Sequence, residues 1–150
     1  MKTPGDSAVV DRILIRELID DYSNICTLRD WARLPGLFVE GCAWHTRSAV
    51  HRDYVGRDDV VQAIIAVVES YQMVFQMPHA PSISVAGEEA VAATLMHEIV
   101  KTDDAEGRFV LAVYHDRLVR TPQGWKFAER VFKRLYAQTT AMPGHLAPPP

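Results

Sequence analysis

The sequence predicts an α+β fold: three helices in the first half, then a curved antiparallel sheet that closes against them as a cone with an internal cavity. Three observations carry this expectation. Apolar residues recur at helical spacing up to about residue 71. Beyond that, extended runs alternate with turn chemistry up to about residue 138. The last three of these runs are each about thirteen residues long, well beyond the usual strand of about five or six. Long consecutive antiparallel strands twist and curl, so the sheet should wrap into a half-barrel with the helices on its concave side. Such a cone is a natural place for a small molecule.

The elements follow in order. From Ser7, a suitable N-cap, the stripe Val10, Leu14, Leu18, Tyr22 and Ile25 predicts the first helix. DWARLPGLF predicts a second, short helix from Asp30, with Pro35 and Gly36 leaving its length open. CAWHTRS (42–48) reads as a strand, and HRDYVGRDD as a turn into a third helix, VVQAIIAVVESY. Asp58 and Asp59 suit the positive N-terminal dipole of that helix, and Val60, Ile64, Val67 and Tyr71 form its expected buried line. Met73–Met77 reads as an apolar lip. The strands are then PSISV up to Ala86-Gly87, AVAATLMHEIVKT up to DDAEG, RFVLAVYHDRLVR up to TPQG, and WKFAERVFKRLYAQ, with Trp125 anchoring the last hairpin. A single domain is expected over 1–150, its core about 8–138, with 139–150 a proline-rich tail.

Bulk composition is that of a globular protein, 48% hydrophobic and 23% charged, with a formal net charge of −3. No basic stripe points to nucleic acid, and no apolar run reaches the ~18 residues that would span a bilayer. The short polar start predicts no signal peptide, so a cytoplasmic protein is expected. Cys26 and Cys42 form no C-x-x-C spacing, and the six histidines form no ligand pair, so no disulfide framework and no metal are expected.

IRELIDDY, RDW, VGRDD, HAPSISVAGEEA and GWKFAERVFKRLY, in this order across residues 13 to 137, resemble the SnoaL-like branch of the nuclear-transport-factor-2-like superfamily. That branch includes scytalone dehydratase and bile acid 7α-dehydratase. The resemblance implies a small cofactor-independent lyase or isomerase. It would carry out acid–base chemistry on a hydrophobic cyclic ketone or alcohol, without metal or organic cofactor. It also implies a homo-oligomer, dimer or trimer, assembled through the outer face of the sheet, which the reading places on Tyr114, Asp116 and Leu118. The helix-one tyrosine of the bile acid enzyme falls on Tyr22, and its terminal-strand arginine on Arg134. The orienting aspartate of the dehydratases falls on Thr27, their histidine on Gln76, and the strand aspartate of the bile acid enzyme on Ile99. A polar cavity residue falls on His115.

Strand alternation supplies further candidates. Leu111, Val113 and His115 share one face, and His97 lines up with Leu95 and Ile99. Each histidine is either a hydrogen-bonded core residue or a pocket base. His97 and His115 together are the preferred ionisable pair, with His79, between Pro78 and Pro81, as a rim alternative. Arg134 shares a face with Arg130, Phe132 and Tyr136, and serves either a ligand or a salt bridge to Asp20 or Asp21. Tyr22 and Arg134 would position oxygen atoms. Gln76, Thr27, Thr46, Tyr54, Val113, Ile99 and Phe132 would contact the substrate, Tyr54 from the loop before the third helix. The resemblance puts Thr46, not His45, on the cavity side, so His45 reads as a surface or interface residue. The competing reading is a non-catalytic binding module, or a structural module like an oxygenase small subunit, because the proton-transfer dyad of the family is replaced.

Overall fold

The computed structural model describes residues 4–147. The chain opens with α1 (Pro4–Leu28), so Ser7 lies inside the helix rather than capping it. Its buried face carries Ile15, Ile19, Tyr22, Ile25 and Cys26, each at most 1% exposed, whereas Val10 and Leu14 are both 42% exposed. The expected stripe is therefore rotated over the first turns. Val9, Val10, Ile13 and Leu14 make that part of the helix apolar almost all round, so spacing alone does not choose a face. Asp11 does: its carboxylate accepts hydrogen bonds from Arg120 (2.8 Å) and Trp125 Nε1 (3.2 Å) on the last hairpin, which turns Ile15 and Ile19 inward.

Arg29, with φ of 57°, ends α1 in the left-handed region. Its guanidinium donates to Glu69 Oε2 (2.8 Å) and to the Tyr71 carbonyl (2.7 Å), and Trp31 Nε1 donates to Glu69 Oε1 (2.7 Å). The RDW segment thus ties the end of the first helix to the end of the last. The second helix expected from Asp30 contracts to a 3-10 turn, Leu34–Leu37, because Pro35 removes a donor and Gly36 favours no helix. Two α-helices result among the described residues, not three.

After it come β1 (Phe38–Arg47), β2 (His51–Val55), α2 (Arg57–Glu69), β3 (Met73–Pro78), β4 (Ser82–Ala86), β5 (Glu89–Lys101), β6 (Glu106–Thr121) and β7 (Gly124–Ala141). HRDYV, read as a turn, is a strand, and the Met73–Met77 lip is one as well. Strand β7 also runs into the expected tail. Gly56, at φ 93°, makes the turn from β2 into α2. On α2 the buried residues are Val60, Val61, Ile64 and Val68; Val67 is 43% exposed.

The sheet runs β2-β1-β7-β6-β5-β3, with β4 pairing the opposite end of β5 from β3. All pairs are antiparallel except β1 with β7, so the sheet is mixed, curved and unclosed. Helix α1 packs over β3, β4 and β7, and α2 over β1 and β2. None of the described helices is long and apolar enough to cross a membrane.

Alternation on the long strands runs opposite to the expected sense. Thr94, Met96, Glu98 and Val100 on β5 are buried, as are Ala112, Tyr114, Asp116 and Leu118 on β6. Tyr114, Asp116 and Leu118 therefore belong to the core, not to an outer interface. Leu95, Phe109 and Leu111 lie on the convex face, 55%, 38% and 45% exposed. Both faces of these strands carry apolar residues, so period two identifies the faces without saying which is inside. Two bulges in β7 complicate it further. Ala128 is the extra residue between Phe127 and Glu129, and Leu135 between Arg134 and Tyr136. The first lets Phe127 and Arg130 point inward together. The second sends Arg134 inward and Tyr136 outward, so those two do not share a face.

Candidate active site

A cavity of about 300 Å³ lies between the concave face of the sheet and the two helices. Tyr22 comes to it from α1, Trp44 and Thr46 from β1, Tyr54 and Arg52 from β2, and Ile64, Val67 and Val68 from α2. Gln76, Glu98, Tyr114, Phe132 and Arg134 reach it from successive strands of the sheet. The walls are chiefly apolar and aromatic, with a few convergent polar groups, as small-ligand sites usually are.

The most distinctive of those groups is Glu98, 8% exposed in the second half of β5. It sits directly across from Gln76 on β3, whose Nε2 donates to its Oε1 at 2.8 Å. Its other oxygen has no hydrogen-bond partner among the described residues. Burial pushes this carboxyl up to about 7, against the Gln76 hydrogen bond that pulls it down. Such a group exchanges a proton near neutrality. Gln76 is itself tethered: its backbone N–H donates to Thr27 Oγ1 on α1 at 3.0 Å. Thr27 therefore holds β3 against α1 and does not line the cavity. Of the four buried side-chain polar atoms without partners among the described residues, Gln76 Oε1 and Trp44 Nε1 belong to residues that line this cavity. Trp44 stacks on Tyr54 with ring centroids 5.5 Å apart, so its indole N–H is an available donor in the cavity wall.

The inner end rests on a buried charge. Arg130, fully buried, donates to both oxygens of Asp116 at 2.8 and 3.1 Å. Its guanidinium lies 4.0 Å from the ring centres of Tyr22, Tyr114 and Phe127. The Tyr22 and Tyr114 hydroxyls are 3.3 Å apart. Burial raises both phenols above their ordinary range, so both stay protonated and can donate. Cys26 beside them is pushed up to about 12 by burial and remains a thiol.

Among the residues expected at the site, Tyr22, Arg134, Gln76, Thr46, Tyr54 and Phe132 line this cavity. His97, His115, Val113 and Ile99 do not; they lie on the convex face, His97 with its ring 6.2 Å from Phe109. His79 is exposed in the link after β3, its backbone N–H donating to the Leu95 carbonyl. The preferred histidine pair is thus on the wrong side of the sheet. It followed from placing the strand acid on Ile99, whereas the inward acid is its neighbour Glu98. Tyr54 lies on β2 rather than in a loop. His45, on β1, points away from the cavity to Asp53 (2.6 Å) and Glu129 (3.3 Å). Arg134 makes no salt bridge to Asp20 or Asp21. Glu98, Tyr114, Trp44, Arg52 and Arg108 were missed. A lone carboxylate inside the apolar run LMHEIV was the signal available for the first.

A curved sheet backed by helices around a pocket open at one end defines a cone-shaped domain of the kind that suits a small ligand. The chain belongs to the SnoaL-like domain family, whose profile matches residues 7–131. Solved structures show the same fold. A candidate scytalone dehydratase from Novosphingobium aromaticivorans superimposes with a TM-score of 0.79 at 21% identity, over 95% of this chain and 93% of that one. The hexachlorocyclohexane dehydrochlorinase LinA, type 2, gives 0.79 at 19% identity, over 95% and 96%. An NTF2-like protein with a cystatin-like fold from N. aromaticivorans gives 0.71 at 21%, over 90% and 92%. No curated protein matches the chain at a significant level.

Proposed function

We propose that this chain is a small cofactor-independent lyase or isomerase that moves a proton on a hydrophobic cyclic ketone or alcohol, with Glu98 as the acid–base group. The observation that carries the reading is the position of Glu98: buried in the cavity wall, held by Gln76 through one oxygen and free at the other. In this reading the free oxygen takes a proton from the carbon next to the substrate carbonyl. The carbonyl oxygen accepts from Trp44 Nε1–H or from a hydroxyl of the Tyr22–Tyr114 pair, which stabilises the developing enolate. In a dehydration the C–O bond to the departing hydroxyl then breaks, and the proton on Glu98 leaves with it as water. In an isomerisation the same proton returns to another carbon. Both steps balance with one carboxyl and no further reactant. The dehydratase and dehydrochlorinase among the similar structures support an elimination chemistry in kind, not the substrate.

The test uses a bicyclic ketone, 2-tetralone, whose α-proton exchange in D2O is followed by NMR. Wild-type protein should accelerate exchange over buffer, and Glu98→Gln should reduce that acceleration by about a hundredfold or more. Equal rates in the two proteins would refute the role of Glu98. The replacement of the family dyad by Thr27 and Gln76 favours a second reading, a binding module that keeps the cone without the chemistry. Tight binding of the ketone with no acceleration by the wild type would select it. We also infer a homo-oligomer, dimer or trimer, built on the convex face of the sheet.

A further inference from the structure

The charged groups of the cavity are unbalanced. Arg52, Arg108 and Arg134 line it, and among the described residues Glu98 is the only carboxylate that does. None of these guanidiniums forms an ion pair or donates a hydrogen bond among the described residues, although Arg29, Arg33, Arg47, Arg117, Arg120 and Arg130 all pair with acids. Strand register explains why they gather. Thr46 on β1 pairs with Arg52 on one side and with Phe132 on the other, and residues paired across strands share a face. Arg134 follows Phe132 by two residues and so points to the same side. Arg108, two residues before the buried Val110 on β6, has the inward parity as well. Arg52 and Arg108 are exposed and Arg134 half-buried, so the three stand at the open end while Glu98, Trp44 and Tyr114 stand deeper.

We infer that the physiological ligand is a cyclic compound bearing a carboxylate, its ring among Trp44, Tyr54, Phe132 and Val110 and its carboxylate held at the cavity mouth by Arg52, Arg108 and Arg134. The inference deepens the proposed function by naming the substrate class of the same cavity. Guanidinium groups present paired donors that match a carboxylate in geometry and charge. A partly desolvated site strengthens the attraction over what water would allow. The cavity volume, at the small end of ligand sites, suits a one- or two-ring molecule. The orientation also fits the chemistry, because anchoring the anionic end at the mouth carries the ring inward to Glu98.

The experiment compares 2-naphthoate with 2-naphthamide, its uncharged counterpart, by calorimetric titration at low salt. Wild-type protein should bind the carboxylate at least tenfold more tightly, with the difference shrinking as salt is added. Arg108→Gln combined with Arg134→Gln should bring the two ligands within twofold, leaving naphthamide affinity and the circular dichroism spectrum unchanged. Equal wild-type affinities, a preference that survives in the double variant, or no naphthoate binding at millimolar concentration would each overturn the inference. Glu98→Gln separates the two readings. It should retain the carboxylate preference while losing proton exchange on 2-tetralone. Retained exchange with the preference intact would sink the catalytic role alone, and normal Glu98-dependent exchange with no preference would sink the arginine site alone.

Discussion

Glu98 shows how one residue couples chemistry to stability. Its carboxyl rises from an ordinary 4.5 to about 7 in the folded chain, so the native state holds the proton more tightly than the unfolded state does. The stability this group contributes is therefore fully present below about pH 4.5, declines as pH rises, and is lost above about 7. Over that window the loss is about 3 kcal/mol. Asp11, Asp53 and Asp103 are lowered by Arg120, Arg47 and the backbone N–H of Ala105 respectively, so they act at more acid pH, below this window, and the raised Asp116 is common to the two proteins compared next. Urea unfolding at pH 5 and pH 8 should show wild-type protein weaker at pH 8. Glu98→Gln should markedly reduce the difference and be the more stable of the two at pH 8. Parallel pH dependence in both proteins would mean that Glu98 is not the titrating group. The same ionisation has the opposite effect on catalysis: as a base, Glu98 should give proton exchange that rises through about pH 7.

At the level of elements, β6 and β7 are joined inside the core by a charge pair. The bulge at Ala128 makes this possible, because it brings Phe127 and Arg130 to one face, where Arg130 meets Asp116 and the tyrosines. Burial pushes the Asp116 carboxyl up, while the adjacent guanidinium draws it back; the two bonds to Arg130 keep the pair ionised. Arg130→Met leaves a carboxylate buried without its partner and should cost about 3–5 kcal/mol in urea unfolding. Adding Asp116→Leu should recover most of that loss, since an apolar pair leaves no orphan charge. A single Arg130→Met variant as stable as wild type would show that the pair is dispensable. Elements were legible in proportion to their length. The three long strands were read nearly whole, whereas β2 and β3, five and six residues long, carried too little pattern to separate from a turn and an apolar lip. The short helix expected from Asp30 in DWARLPGLF shrinks to the turn Leu34–Leu37, because Pro35 and Gly36 prevail.

For the whole molecule, the convex face of the sheet is the surface left apolar and exposed. Leu95, Leu111, Leu135 and Tyr136 are 55%, 45%, 54% and 51% exposed, with His97, Ile99 and Val113 between them. A soluble monomer rarely leaves so many large apolar side chains together, which supports the homo-oligomer inferred above. Light scattering should report a dimer or trimer, and Leu111→Lys with Leu135→Lys should shift it to monomer without changing the circular dichroism spectrum. A wild-type protein that stays monomeric at high concentration would contradict the assembly. In the proposed assembly the inner face serves the ligand and the outer face the partner, both from the same strands.

That double use explains the division between what the sequence determined and what only the tertiary structure decided. Helical spacing, turn residues and three very long extended runs determine helices followed by a curled sheet, because these signals are local and depend on backbone geometry. The cavity positions of Tyr22, Thr46, Gln76, Phe132 and Arg134 could also be read, through the order of motifs. Which side of β5 and β6 is inside could not, because Leu95, Ile99 and Leu111 make the outer face as apolar as the inner one. The decision came from long-range contacts: Asp11 with Trp125, Arg130 with Asp116, and Gln76 with Glu98. Polar groups that must be paired when buried select the inner face, and their partners lie 14, 22 and 114 residues away in the chain.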